Sequence, residues 1–198
     1  MGLKHWGLMT KANFFKEDTD FMKMSAKKIT YMAMFVVLNI VLTRIASIRI
    51  AFGTVEAIRI GFGGFPVILA GILMGPAAGG IVGAIGDLVG YWINPAGPYM
   101  PHFTLTAALT GIIPAFMIRL FKSEQPNIWQ LAAAIATGQI ITSVLLVPYF
   151  LYKLFGIPLV YKMATSCIVQ AINIPIYTIF ARLIMKRFSI GLAPQKIN

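Results

Sequence analysis

The chain has 198 residues, 58% of them hydrophobic and only 12% charged, with a net charge of +11 and a mean hydropathy of +0.79. A soluble domain averages roughly 45–50% apolar and about 25% charged residues, so an ordinary soluble protein is excluded and a polytopic membrane protein is indicated. Six spans of about 20 residues consume roughly 120 positions, which leaves no room for a second soluble domain and puts any nucleotide-hydrolysing module on another polypeptide.

In chain order, residues 1–28 carry Lys4, Lys11, Lys16, Lys23, Lys27 and Lys28 with Glu17, Asp18 and Asp20. No signal-type apolar region lies within them, and Trp6 stands where a myristoylation signal needs Ser or Thr. They read as a cytoplasmic N-terminal extension. The apolar runs then predict span 1 from Ile29 to Ser47, span 2 from Ile60 to Gly75, span 3 from Gly79 to Ile93, span 4 from Phe103 to Phe121, span 5 from Ile128 to Tyr152 and span 6 from Pro158 to Met185. Gly75-Pro76 ends span 2, because proline cannot continue the helical hydrogen-bond ladder. Asn94-Pro95-Ala96-Gly97-Pro98 excludes helix, and Pro101, Pro126 and Gly156-Ile157-Pro158 punctuate the rest.

Lysine and arginine concentrate before span 1 (Lys23, Lys27, Lys28), after span 4 (Arg119, Lys122) and after span 6 (Lys186, Arg187). The positive-inside rule puts these on the cytoplasmic side. The expected fold is therefore all-α, a polytopic membrane protein with six transmembrane helices and both termini cytoplasmic. Its parts are an extension over 1–28, a membrane domain over 29–187 and a tail over 188–198. Topology accounts for the basic charge, and no long basic stripe with interleaved aromatics points to nucleic acid.

Arg44, Arg49 and Arg59 oppose the rule by clustering with Glu56 around the first outer loop. Two readings compete: Arg44 and Arg49 snorkel to the lipid headgroups while Arg59 pairs with Glu56, or the guanidinium forks receive the anionic groups of a solute. From Ile60 to Ile118 the only charged residue is Asp87. An acid there is expected to tie helices together by a hydrogen bond, and a proton-relay role lacks a second intramembrane acid. Eleven of the eighteen glycines fall between Gly53 and Gly90, with Gly71, Gly75, Gly79 and Gly83 four apart, a spacing that lets helix backbones approach closely in lipid. Neither a phosphate loop nor a dinucleotide fingerprint is present. The stretch from Tyr91 and Trp92 to His102, Phe103 and Thr104 reads as an interfacial aromatic belt. It also offers flat faces beside the arginines, which would suit a heteroaromatic acid. The single cysteine, Cys167, excludes an internal disulfide, and no Cys or His metal spacing occurs.

Two runs carry a resemblance: Arg59-Ile-Gly-Phe-Gly-Gly-Phe-Pro-Val-Ile-Leu-Ala-Gly-Ile-Leu-Met-Gly-Pro-Ala-Ala-Gly-Gly-Ile-Val-Gly-Ala-Ile-Gly-Asp-Leu-Val-Gly, and Gly97-Pro-Tyr-Met-Pro-His-Phe-Thr-Leu-Thr-Ala-Ala-Leu-Thr-Gly. Over about Ile29 to Arg187 the chain resembles the substrate-binding S component of an energy-coupling factor (ECF) vitamin transporter, closest to the folate group. The resemblance implies a bacterial plasma-membrane protein that captures a vitamin outside, gated by the loops after helices 1 and 3, and releases it inside. It implies no cofactor on this chain. ATP would be used by two ATP-binding subunits working with a transmembrane coupling subunit. Members carry an Ala-x-x-x-Ala docking pattern on helix 1; here Ala33 is followed by Val37, and Gly79 and Gly83 of span 3 would compensate at that interface.

With folate as ligand, the pterin would stack near Tyr91, Trp92 or Phe103, with His102, Thr104 and Asn173 as polar contacts, and Arg44, Arg49 or Arg59 would receive the glutamyl tail. Riboflavin, thiamine, pantothenate or a queuosine precursor are the alternatives within the class. An intramembrane enzyme would have only Cys167, His102 and Asp87 to work with, on different spans, and lacks an activated nucleophile pair. A secondary transporter is disfavoured because residues 29–93 and 103–185 show no repeat.

Overall fold

The computed structural model describes residues 26–45, 47–52, 55–93, 95, 98–121 and 126–188. The expected extension over 1–28 and tail over 188–198 thus lie almost wholly outside the described residues. Helix α1, Ala26–Ile40, widens into a π-helical turn over Val41–Ile45. A hairpin follows, β1 Ile48–Phe52 and β2 Val55–Ile60. Then come α2 Gly64–Met74, α3 Pro76–Ile93, α4 Pro101–Leu120, α5 Ile128–Phe155 and α6 Leu159–Phe188. Within α5, Ile140–Leu146 is π-helical.

The all-helical membrane body is as expected, with five helices long and apolar enough to cross a bilayer. Two corrections concern the segment between α1 and α3. Ile60 belongs to a strand, so span 2 shrinks to the 11 residues of α2, about 16 Å long against a hydrocarbon core of about 30 Å. The flexible run Gly61-Phe62-Gly63-Gly64 makes the turn, closed by Phe65 N donating to Phe62 O at 3.0 Å. Pro66 sits in the first turn of α2, where no amide hydrogen is needed. The second correction is the antiparallel hairpin, in which Arg49 and Arg59 hold partner positions and an irregularity falls between Ile50 and Ala51.

Glycine at 75, with φ +101°, supplies the left-handed bend that stops α2. Pro76 then opens α3 three residues earlier than Gly79, since its fixed φ suits a first helical position. Pro101 does the same for α4. Asn127 caps α5: its side chain accepts from Ile128 N at 2.8 Å, while its own N–H donates to Gln130 Oε1 at 2.9 Å. At the other end Gly156, φ +67°, donates to Tyr152 O at 3.0 Å and ends the helix three residues beyond Tyr152.

Helices in lipid gain little from apolar burial against each other and associate through close packing. Here the closest seam joins α2, α3 and α4. A Cβ built at Gly79 would stand 2.6 Å from Gly71 Cα and 2.9 Å from Gly111 O, and one at Gly83 would collide with Ala107 O. Around it Phe35, Val67, Ile68, Val82, Ile135 and Tyr177 form the buried core. The outward faces of the helices carry Ile29, Met34, Val37, Trp129 and Leu183, as lipid-facing surfaces do.

Candidate functional site

A cavity of about 520 Å³ opens among the helices, within the 300–1,000 Å³ typical of small-ligand sites. Asn39, Thr43 and Arg44 reach it from α1, and Asp87 and Tyr91 from α3. Phe103, Thr106 and Thr110 line it from α4, Gln139 and Ser143 from α5, and Lys162, Gln170, Asn173 and Tyr177 from α6. Ser47, Gly61 and Gly63 beside the hairpin, and Pro98, Tyr99 and Met100 before α4, contribute from the two connecting segments.

Glycines on α3 make room for this wall. A Cβ at Gly86 would run into the Asn39 amide, and one at Gly90 would come within 3.0 Å of Arg44 Nε. Asn39, freed to lie across α3, donates from Nδ2 to Gly63 O at 2.7 Å and so anchors the turn before α2. Tyr177 OH donates to Gly61 O at 3.2 Å, which ties α6 to the same turn. Both π-helical stretches border the cavity: one carries Thr43 and Arg44, the other Ser143. Such bulges recur at functional sites because they rotate side chains out of the regular helical phase.

The expected interhelical role of Asp87 is what the structure shows. Arg44 NH2 lies 3.7 Å from Asp87 Oδ1, the two side chains being 6% and 25% exposed. Thr104 Oγ1 donates to Asp87 Oδ2 at 2.8 Å and is itself 3.1 Å from Tyr99 OH. One carboxylate thus joins α1, α3, α4 and the segment before α4. Arg44 does not snorkel outward: its side chain is 6% exposed and turned toward Asp87. On α5, Ser143 Oγ donates to Gln139 Oε1 at 2.8 Å and fixes the direction of that amide. Two cations, Arg44 and Lys162, and one carboxylate, Asp87, face the cavity among the described residues.

Of the residues singled out from sequence, Arg44, Tyr91, Phe103 and Asn173 meet at this cavity. Trp92 does not: at 84% exposure it points away, since its neighbour Tyr91 takes the inward position on the last turn of α3. His102 is exposed and packs its ring on Phe150, centroids 5.0 Å apart. Thr104 is spent on Asp87 and lies behind the wall. Arg49 and Arg59 stand in the hairpin, and their side chains lie outside the described ones. At the expected docking surface Ala33 and Val37 are exposed on α1. Gly79 and Gly83, in contrast, are buried inside the bundle against α4 and lie off its outer surface.

Sequence reading passed over Asn39, Gln139, Ser143, Lys162 and Gln170. The signal for the last two was present: Lys162, Thr165, Ser166, Gln170 and Asn173 recur at helical spacing within an otherwise apolar span and mark one face of α6.

A family model described as ECF-type riboflavin transporter, S component, matches residues 23–189. The folate transporter FolT of Clostridium novyi (strain NT) is 33% identical over 149 residues, which cover 75% of this chain and 82% of that protein. Among solved structures, FolT bound with folic acid superposes with a TM-score of 0.69 at 24% identity, covering 83% of this chain and 97% of the other. An S component for biotin from an ECF-type ABC transporter gives 0.63 at 18% identity, with 85% and 95% covered. At these identities the two structures speak for the fold alone. The matched length and the FolT relative establish that this multi-pass membrane chain belongs to the S-component family of ECF-type transporters, a family of transport proteins and not of enzymes.

Proposed function

We propose that the chain is the folate-binding subunit of an ECF-type uptake system. The cavity wall carries the reading: the cations Arg44 and Lys162 line the same cavity as the rings of Tyr91, Tyr99 and Phe103, a combination that suits a flat heteroaromatic acid. Similarity to a folate transporter, 33% identical over three quarters of the chain, supports the same ligand. A stacked aromatic contact adds about 0.5–1.5 kcal/mol and a charge-assisted hydrogen bond about 1.5–3 kcal/mol. Several of each reach the roughly −12 kcal/mol of nanomolar binding.

In this reading both termini are cytoplasmic, and the hairpin and the segment before α4 form the outward mouth. Energy comes from a transmembrane coupling subunit and two ATP-binding subunits, with no cofactor held by this chain. The exposed stripe Ile29, Ala33, Val37 and Val41 on α1 is the surface offered to the coupling subunit, or to lipid when the chain is alone. Gly79 and Gly83 are no part of it.

Calorimetric titration of the purified chain in detergent tests the ligand, with folic acid, riboflavin and biotin run in parallel. Nanomolar binding of folic acid alone is expected. Riboflavin binding in its place would move the chain to the ligand named by the family model, and folded protein that binds none of the three would sink the assignment.

A further inference from the structure

The helix ends where α1 begins and α6 finishes lie together: Met32 of α1, Leu131 of α5 and Ala181 of α6 share the buried core, and Ile118 of α4 and Ile184 of α6 pack against it. Among the described residues this end of the bundle carries Lys27, Lys28, Arg119, Arg182, Lys186 and Arg187 and no carboxylate; the described acids, Glu56 and Asp87, stand in the hairpin and beyond the middle of α3. Arg119 and Lys186 are already engaged. Arg182 is exposed and makes no hydrogen bond or ion pair among the described residues.

The stripe that leads to Arg182 indicates what would meet it. Ile168, Ile172 and Ile179 are exposed, and with the exposed Pro175 they follow one another at spacings of three and four residues, which is one face of a helix. Arg182 is the next position on that face. From Ile172 to Arg182 is ten residues, about 15 Å at 1.5 Å per residue, or half of a hydrocarbon core of about 30 Å. Ile172 therefore reaches the bilayer midplane when Arg182 stands at the headgroups. The neighbouring helix α5 gives the same scale: Trp129, 79% exposed, and the exposed Tyr149 stand 20 residues apart, about 30 Å, as residues marking the two interfaces should.

We propose that this end of α6 seats an anionic phospholipid, its phosphodiester held by Arg182 and one acyl chain laid along Ile179, Pro175 and Ile172. The guanidinium fork meets two phosphate oxygens at once. A zwitterionic headgroup can make the same contact, but it brings an ammonium into a rim of cations with no described carboxylate to receive it. Charge complementarity thus selects the anionic headgroup. The inference concerns the lipid-facing surface and stands whichever vitamin the cavity takes.

The test uses the full chain in a non-ionic detergent, mixed with phosphatidylglycerol or phosphatidylcholine of identical acyl chains, with retained lipid counted by native mass spectrometry. The unmodified chain should retain phosphatidylglycerol at about tenfold lower concentration than phosphatidylcholine, the share of one charge-assisted hydrogen bond. Arg182→Gln should abolish that preference, and Arg182→Lys, which keeps the charge without the fork, should retain part of it. The lipid-free melting temperature of Arg182→Gln should match that of the unmodified chain, because the side chain has no described partner to lose. Lys153→Gln, in the last turn of α5 at the opposite end, should leave the preference intact. Glycerophosphoglycerol, the same headgroup without acyl chains, should not displace the lipid; displacement at millimolar concentration would show a site for a free phosphate and overturn the lipid assignment. Equal retention of the two lipids by the unmodified chain, or a preference that survives Arg182→Gln, would overturn the proposal. A dimer in the same spectra that Arg182→Gln dissolves would give this face to a second copy of the chain and overturn it as well.

Discussion

Asp87 accepts a hydrogen bond from Thr104 and stands 3.7 Å from Arg44, so its charge has two tasks that substitutions separate. Asp87→Asn keeps an acceptor for Thr104 but removes the negative charge that stands 3.7 Å from the guanidinium. Breaking a fully buried pair costs about 3–5 kcal/mol. Asp87 keeps a quarter of its side-chain surface open, so a loss of about 2–3 kcal/mol is expected for Asp87→Leu and somewhat less for Asp87→Asn. Arg44→Leu combined with Asp87→Leu should be less destabilised than the sum of the single variants, because neither charge is then stranded. Thermal unfolding in detergent measures the cycle, and strict additivity would show that the two groups act independently. The isolation of Asp87 within a long uncharged stretch made it visible in the sequence. Its partner was not visible, because choosing Arg44 over Arg49 or Arg59 depends on the π-turn that swings Arg44 inward and on the absence of a side chain at Gly90. Gln139 and Ser143 were hidden for a related reason: each polar residue is unremarkable until the helix is seen to turn it to the cavity, Gln139 just before and Ser143 within the π-helical stretch of α5.

At the scale of elements, the glycine pattern foretold the α2, α3 and α4 seam, and hydropathy with proline punctuation located all six helices. Span 2 was misjudged because an apolar window does not separate a strand from a helix. Ile48, Ile50 and Phe52 alternate with Arg49 and Ala51, a period-two signal for β1. The arginines within it drew a topological explanation in its place. Gly79 and Gly83 were assigned to a partner because small residues at four-residue spacing serve any close helix contact, and only the bundle shows which helix they meet. The seam makes a direct prediction. Gly79→Val would push side-chain atoms into Gly71 and the Gly111 carbonyl, where both sides are backbone and cannot give way. Overpacking costs typically 1–3 kcal/mol, and with rigid neighbours the upper part of that range or more is expected. Ala33→Leu on the exposed face of α1 should leave the melting temperature of the isolated chain within about 1 °C. An isolated chain that tolerates Gly79→Val as well as Ala33→Leu would mean that the seam opens freely.

Over the whole molecule, six helices and two connecting segments each place residues on one cavity, so a ligand that fills it touches nearly every element of the fold. Binding is then linked to global stability and not to the mouth alone. A ligand present at about 1,000 times its Kd stabilises the folded state by roughly 4.1 kcal/mol. For a chain of this size each kcal/mol shifts the melting temperature by roughly 2–4 °C. Micromolar folic acid against a nanomolar site should therefore raise it by roughly 10 °C, with riboflavin at the same concentration giving no comparable shift. The extent of the rise discriminates between two ways of binding. If calorimetry gives nanomolar affinity but melting rises by less than about 2 °C, the ligand is held by the hairpin and the segment before α4 while the helices unfold independently of it. A rise near the full linkage value means that the ligand bridges the six helices α1 to α6 as one unit, and Asp87→Leu, which loosens the contacts among α1, α3 and α4 at once, should reduce it.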